Sequence, residues 1–130
     1  MIRFLTLSEV LLIYEDQMRR YGGAYGVRDL TLLSSAVYTP QATFERKYLH
    51  NGIPEMTAAY VYHICQTHAL VDGNKRVALA SALVFLDING YDFKCSEDEI
   101  YKIIMDVAIN KITKEELTKI FVKYAKQRKS

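Results

Sequence analysis

The chain has 130 residues, a common size for one domain and long enough to bury a core without disulfides or a structural metal. Lys and Arg number 17 against 15 Asp and Glu, and the net charge of +2 is too balanced to indicate a nucleic-acid-binding surface. The uncharged apolar run at residues 77–86 is well short of the roughly 20 residues that a membrane crossing needs. We therefore expect a single domain over residues 1–130, with neither a membrane span nor direct nucleic-acid binding.

The cysteines and the N-terminal residues bear on the cellular compartment. Cys65 and Cys95 show no CxxC spacing and no set of Cys or His partners, which is typical of small buried thiols in a reducing cytoplasm. The apolar N-terminal stretch contains Glu9 and Glu15 and lacks a small-residue cleavage site, so no secretion signal is evident. We expect a cytoplasmic protein.

Hydrophobic spacing and helix-boundary residues predict an all-α fold, a compact bundle of about six helices with little or no strand. The predicted helices span residues 8–20, 29–38, 54–67, 77–86, 97–110 and 114–127, with the third beginning at either Pro54 or Thr57. The residues that mark helix ends are Gly22-Gly23, Asp29, Pro40, Gly90 and the capping boxes Ser96-x-x-Glu99 and Thr113-x-x-Glu116. The apolar fourth helix is expected to be the central buried helix of the bundle.

Residues 39–53, between the second and third predicted helices, carry no helical period and are expected to form an extended flap. His50 lies beside Asn51-Gly52, a turn signal, so we expect its side chain to face solvent. The flap could grip a target peptide by adding a strand to it, and a plain connecting loop is the alternative.

Residues 68–76, with the sequence HALVDGNKR, are the most informative stretch of the chain. The apolar residues that follow predict a helix whose first turn holds Lys75 and Arg76. A helix start carries unpaired N–H groups and the positive end of the helix dipole, so each cation there is unfavourable by about 0.3–1 kcal/mol unless an anion binds. A glycine and two cations at a helix start therefore predict a phosphate-binding site.

The other polar residues of this stretch fit phosphate chemistry. Asp72 is a hard oxygen ligand suited to a Mg²⁺ ion that bridges phosphates. Gly73 lets a phosphate approach the backbone closely, and Asn74 can cap the helix or donate to a phosphate oxygen. His68 lies four residues before Asp72, and an imidazole suits a general base at neutral pH.

Each of these residues also has an ordinary structural explanation when it is considered alone. Asp72 or Asn74 would be a simple N-cap, and His68 would be a hydrogen-bonded structural histidine. Neither explanation accounts for Lys75 and Arg76 in the first helical turn. Because all six residues fall within nine positions, we favour a functional loop.

The stretch resembles the signature of the Fic fold, His-x-Phe-x-Asp/Glu-Gly-Asn-Gly-Arg, and in particular its death-on-curing (Doc) branch, in which Lys replaces the second Gly. Lys75 is that substitution, and Leu70 stands where Phe is typical, with both side chains serving as apolar anchors. The resemblance covers most of residues 5–120. It extends to Tyr21-Gly22-Gly23, Gly26-Val27-Arg28-Asp29, Pro40-Gln41-Ala42-Thr43-Phe44, and the segment from Ala78 through Asn89-Gly90-Tyr91.

The resemblance implies the toxin of a bacterial or phage toxin–antitoxin pair, with ATP and Mg²⁺ as cofactors. Typical Fic enzymes transfer AMP from ATP to a protein hydroxyl, whereas the Doc branch transfers the γ-phosphate to a threonine of elongation factor Tu and so arrests translation. The roles carried over are His68 as base, Asp72 as metal ligand, and four phosphate-binding residues, Gly73, Asn74, Lys75 and Arg76. AMP transfer and a non-enzymatic, antitoxin-binding co-regulator stay open as alternatives.

The resemblance also bears on how the chain would be inhibited. In many Fic proteins a Ser/Thr-x-x-x-Glu helix places its Glu against the motif Arg. No Glu of this chain has Ser or Thr four residues before it, so an inhibitory helix in cis is not apparent. The resemblance then implies a cognate Phd-like antitoxin that binds in trans and lays a helix into an apolar groove.

Overall fold

The computed structural model describes residues 1–129 and is mainly helical. Its helices form from the apolar segments of the sequence, between residues that favour helix ends. The six α-helices of this range are α1 (Leu7–Tyr21), α2 (Leu30–Tyr38), α3 (Ile53–Thr67), α4 (Asn74–Ile88), α5 (Glu97–Ala108) and α6 (Lys114–Tyr124). The four short strands are β1 (Thr43–Phe44), β2 (Lys47–Tyr48), β3 (Tyr91–Phe93) and β4 (Ala125–Gln127). The predicted all-α class with six helices is confirmed.

Side-chain caps explain where several helices begin. Asp29 accepts a hydrogen bond from the third residue of α2, as its position in the sequence indicated. Thr113 and Glu116 form a complete capping box at α6, and Thr6 and Glu9 form another, unpredicted one at α1. Each such cap stabilises its helix by about 1 kcal/mol.

The core is built around α3 and α4, which pack along each other. α2, α5 and α6 contact α3, while α1 and α5 contact α4. The buried face of α4 carries Phe85, whose ring lies 4.8 Å from the buried Tyr60 ring of α3. On the other face Val84 is exposed, so the predicted central helix is buried along one side rather than all round. This packing fixes the loop between α3 and α4.

The segment between α2 and α3 is extended, as predicted. Thr39–Gln41 form one 3₁₀ turn, and β1 and β2 then pair as an antiparallel hairpin with Thr43 opposite Tyr48. Glu45 and Arg46 occupy its turn with positive φ angles of 50° and 66°. The hairpin residues are exposed, and Phe44 is the most apolar of them.

The chain after α6 differs from the prediction of a helix continuing to residue 127. α6 ends at Tyr124, and β4 pairs antiparallel with β3, which follows α4. Beyond the strand, the Arg128 guanidinium donates to Asp87 at 3.0 Å and to Asp92 at 2.8 Å. These partners lie far away in the sequence, which is why local helical spacing did not reveal where the helix stops.

His50 is buried, so the expectation that it faces solvent was wrong. Its Nε2 lies 3.1 Å from the Lys114 ammonium, which also lies 3.2 Å from Nε2 of His63. Burial, followed by the charge of Lys114, lowers the pKa of His50 and lowers that of His63 to about 4. The base of the flap is thereby joined to α3 and α6 through two neutral imidazoles and one lysine.

None of the helices formed by residues 1–129 combines the length and the apolar character that a membrane crossing requires.

The burial of His63 beside Lys114 predicts a loss of stability on mild acidification. Between about pH 6.5, where an unfolded His titrates, and about pH 4, the unfolded chain binds a proton at His63 that the folded chain does not. The free energy of unfolding should therefore fall as pH falls, by about 1–2 kcal/mol between roughly pH 7 and pH 5. Urea unfolding at both pH values measures it. His63→Gln should flatten this dependence, and an equally steep fall in that variant would contradict the assignment.

Candidate active site

The loop that joins α3 to α4 begins at His68, which ends α3 in a left-handed conformation with φ 50° and ψ 35°. This conformation is uncommon for a residue with a side chain and costs on the order of 1–2 kcal/mol. The His68 side chain is exposed. The structure thus leaves this imidazole open to solvent and to an approaching molecule, as a general base would require.

Backbone hydrogen bonds hold the loop against the segment that joins α1 to α2. Leu70 forms an isolated antiparallel bridge with Val27 and is itself fully buried, as expected of an apolar anchor. The remaining bonds run from Arg28 N–H and Asp29 N–H to Ala69 O, at 2.7 and 3.0 Å, and from Val71 N–H to Gly26 O, at 2.9 Å. The loop is therefore a fixed part of the fold.

Asn74 is the first residue of α4, and its side chain reaches back to the loop instead of capping the helix. Its amide oxygen accepts from Leu70 N–H at 3.0 Å, and its amide nitrogen donates to Leu70 O at 2.9 Å. The N-cap position belongs to Gly73, with φ 85°, and no side chain of residues 1–129 caps α4. An ordinary cap by Asp72 or Asn74 is therefore not what the structure contains.

The start of α4 presents free backbone donors. The first intrahelical bond at this end runs from Val77 N–H to Gly73 O at 2.9 Å, which leaves the preceding N–H groups of the first turn without a helical acceptor. Their partial positive charges add to the helix dipole at this point. An anion is the ligand that this arrangement favours.

Asp72 lies beside this helix start with both carboxylate oxygens oriented by backbone N–H groups. Oδ1 accepts from Gly73 at 2.8 Å, and Oδ2 accepts from Ala24 at 3.2 Å. A carboxylate has about four lone-pair sites, so these two bonds leave capacity for a cation. Within residues 1–129 no cluster of three or more His, Cys, Asp or Glu side chains forms a metal cage. Asp72 thus fits Mg²⁺, which is usually bound by one or two carboxylates together with phosphates and waters.

The two cations of the motif are arranged differently. The Arg76 guanidinium donates to Gly22 O at 3.1 Å and lies 5.0 Å from the centre of the Tyr21 ring. The Lys75 side chain is exposed. In the part of the chain that the structure describes, neither cation forms an ion pair with a carboxylate. Both positive charges therefore remain available to a phosphate.

A cavity of about 570 Å³ opens between the start of α4 and one face of α5. Its polar end contains five of the six predicted site residues, namely Asp72, Gly73, Asn74, Lys75 and Arg76. The sixth, His68, is not part of the cavity lining. The remaining wall is formed by Tyr21, Leu79, Glu97, Ile100, Tyr101, Ile104 and Met105. This volume is within the range of small-molecule and cofactor sites.

The α5 side of the cavity was not predicted from the sequence. Ile100 and Ile104 have the spacing of a core-facing stripe on an amphipathic helix, and Tyr101 was assigned no chemistry. Tyr101 is 68% exposed, so its ring is available for contact with a ligand. Helical spacing alone does not reveal this exposure, so the sequence carries no usable signal for Tyr101. Tyr21 was noted only as part of a similar segment, and its contact with Arg76 depends on the fold.

The sequence of the chain is similar to those of known proteins. The model of the Fic/DOC family matches residues 4–86, a range that includes the motif loop and most of α4. The toxin Doc of Mycolicibacterium smegmatis is 42% identical over 78 residues, which are 60% of each chain. The protein kinase doc of Escherichia phage P1 is 30% identical over 89 residues, which are 68% of this chain and 70% of that one. The chain therefore spans between 60% and 70% of the length of these relatives. On this match, the chain belongs to the Fic/DOC family.

Proposed function

We propose that the chain is the toxin of a toxin–antitoxin pair and an ATP-dependent protein kinase that modifies a hydroxyl side chain of a translation factor. The observation that carries this proposal is the uncapped start of α4, with Asp72, Lys75 and Arg76 at one end of the cavity. A site of this kind suits the triphosphate of a nucleotide with its Mg²⁺. Of the two relatives, the name toxin Doc supports the toxin part of the proposal, and the name protein kinase doc supports the kinase part.

In the proposed reaction, the N–H groups of the first turn of α4 and the Arg76 guanidinium hold the phosphates. Asp72 would hold Mg²⁺, which neutralises charge on the phosphate oxygens when it is bound. His68 accepts the proton of the target hydroxyl as its oxygen attacks the γ-phosphorus. The new O–P bond forms while the bond from that phosphorus to the leaving ADP oxygen breaks.

The contacts of Asn74 give its backbone and its side chain different roles. Its amide is occupied by the Leu70 backbone, so a phosphate at this position would be held by the backbone N–H of Asn74. Gly73, with φ 85°, keeps that backbone free of a side chain. The Asn74 side chain then supports the site by fixing the loop from which His68 and Asp72 project.

Lys75 favours γ-phosphate transfer over AMP transfer. A Gly at this position would leave bare backbone against which a phosphate could lie, whereas Lys75 fills that space and adds an exposed charge. Phosphoryl transfer depends mainly on positioning and charge neutralisation, so this change can decide which phosphorus faces the attacking hydroxyl. AMP transfer remains the second candidate, because the rest of the motif resembles the Fic signature, whose typical enzymes transfer AMP.

For the macromolecular partners, we propose elongation factor Tu as the target and a Phd-like antitoxin as the inhibitor that acts in trans, both in the cytoplasm. The exposed β1–β2 hairpin offers a target segment a free strand edge and the exposed Phe44 ring. No Glu in the sequence has the spacing of an inhibitory helix in cis, so inhibition would come from the partner.

Isotope position distinguishes the two transfer reactions. The protein is incubated with elongation factor Tu, Mg²⁺ and ATP labelled at either the α or the γ phosphate. We expect label on the target only from the γ position. His68→Ala should slow this transfer by about 10²–10⁴-fold, because general-base catalysis is lost. Label retained only from the α position would show AMP transfer instead, and growth arrest that persists with His68→Ala would favour the non-enzymatic alternative.

Lys75 provides a second test of the same assignment. Lys75→Gly should lower γ-phosphate transfer by about tenfold or more, a change of roughly 1.4 kcal/mol in transition-state stabilisation. Lys75→Met, which keeps the bulk and removes the charge, is the matched variant. If charge matters, both variants lose activity, and if bulk alone sets the nucleotide orientation, only Lys75→Gly does. Unchanged γ-transfer in both variants would contradict a role for Lys75.

A further inference from the structure

The segment at the end of α1, residues 21–24, contacts two of the charged motif residues, Asp72 and Arg76. Ala24 N–H donates to Oδ2 of Asp72 at 3.2 Å. The neighbouring Gly23 has φ +121°, and a Cβ added there would lie 2.6 Å from that same oxygen and 2.9 Å from Cε of Met18. The carboxylate of Asp72 can occupy its observed place only because residue 23 has no side chain.

The first half of the same segment contacts Arg76. Gly22 O accepts from the guanidinium at 3.1 Å, and the Tyr21 ring lies 5.0 Å from the guanidinium carbon. Gly22 is also the C-cap of α1, so the Arg76 guanidinium lies beside the negative end of that helix dipole. A carbonyl and an aromatic face therefore meet the cation, while an N–H group meets the anion.

We propose that residues 21–24 are a positioning element for the phosphate site. They hold the Asp72 carboxylate and the Arg76 guanidinium in one orientation before any ligand binds, and they act through these two side chains. Groups that orient a metal ligand typically change metal affinity by 10–100-fold when they are altered. The inference rests on the proposed function, since it assigns these residues a part in binding Mg²⁺ and nucleotide phosphates.

Gly23 gives the sharpest test, with binding of Mn²⁺ as the readout. Mn²⁺ is titrated into the full chain with a non-hydrolysable ATP analogue and is followed by electron paramagnetic resonance. We expect Gly23→Ala to weaken Mn²⁺ binding by about tenfold or more, because the new Cβ displaces the carboxylate. Gly90→Ala is the matched control. Gly90 also has a positive φ, +81°, and an added Cβ there meets nothing within 4 Å, so this variant carries backbone strain without touching the site.

Asp72→Asn separates failure of this inference from failure of the proposed function. If the wild-type chain binds Mn²⁺ and Asp72→Asn does not, the assignment of Asp72 as the metal ligand stands. In that case, equal Mn²⁺ affinities for Gly23→Ala and Gly90→Ala would overturn only the positioning role of residues 21–24. If Asp72→Asn binds Mn²⁺ as tightly as the wild-type chain, the metal role of Asp72 fails, and the inference about Gly23 fails with it.

Tyr21 tests the other half of the element even if Gly23→Ala does not fold. Tyr21→Phe keeps the aromatic face, and Tyr21→Leu removes it. We expect Tyr21→Phe to bind the ATP analogue like the wild-type chain and Tyr21→Leu to bind it about two- to fivefold more weakly. In an Arg76→Ala background, Tyr21→Leu should have no further effect, because the ring acts through the guanidinium. An equal loss in both backgrounds would mean that Tyr21 does not position Arg76.

Discussion

The two hydrogen bonds between the Asn74 amide and the Leu70 backbone are the interaction on which the site depends. They turn the side chain of the first α4 residue away from the helix end, so the N-cap is a glycine and the first N–H groups stay free. They also fix the loop, since Leu70 is fully buried beside Ala69. One side chain thereby shapes the loop and leaves the helix start open to an anion.

The uncapped start of α4 is electrostatically unfavourable without a bound anion, so other contacts of the fold must stabilise it. Lys75 and Arg76 stand in the first turn, where the dipole disfavours them, and no carboxylate within residues 1–129 pairs with either. The packing of α3 against α4, with Phe85 beside Tyr60, supplies apolar burial that holds the arrangement. A local arrangement that is unfavourable without a ligand, on a rigid support, is what a preorganised binding site requires.

Much of the fold could be predicted because its signals are local. Asp29 and the Thr113–Glu116 box define helix starts within four residues, and the cations of the motif lie next to a recognisable helix. What escaped prediction depends on distant partners. His50 is buried and contacts Lys114, which lies 64 positions later in the chain. α6 ends at Tyr124, where the chain pairs with β3 as β4. The Asn74 amide could equally have capped α4, and only the position of Leu70 decided otherwise.

The match to the family ends at residue 86, whereas α5, which forms the wall opposite the motif loop, begins at Glu97. The two sides of the cavity therefore come from separate parts of the chain. α5 is anchored in the core through Ile104 and Val107, while Tyr101 stands clear of it. A substitution of the exposed Tyr101, which lines the cavity, can reshape the cavity without disturbing the loop. Such a division lets ligand preference evolve independently of the reacting groups.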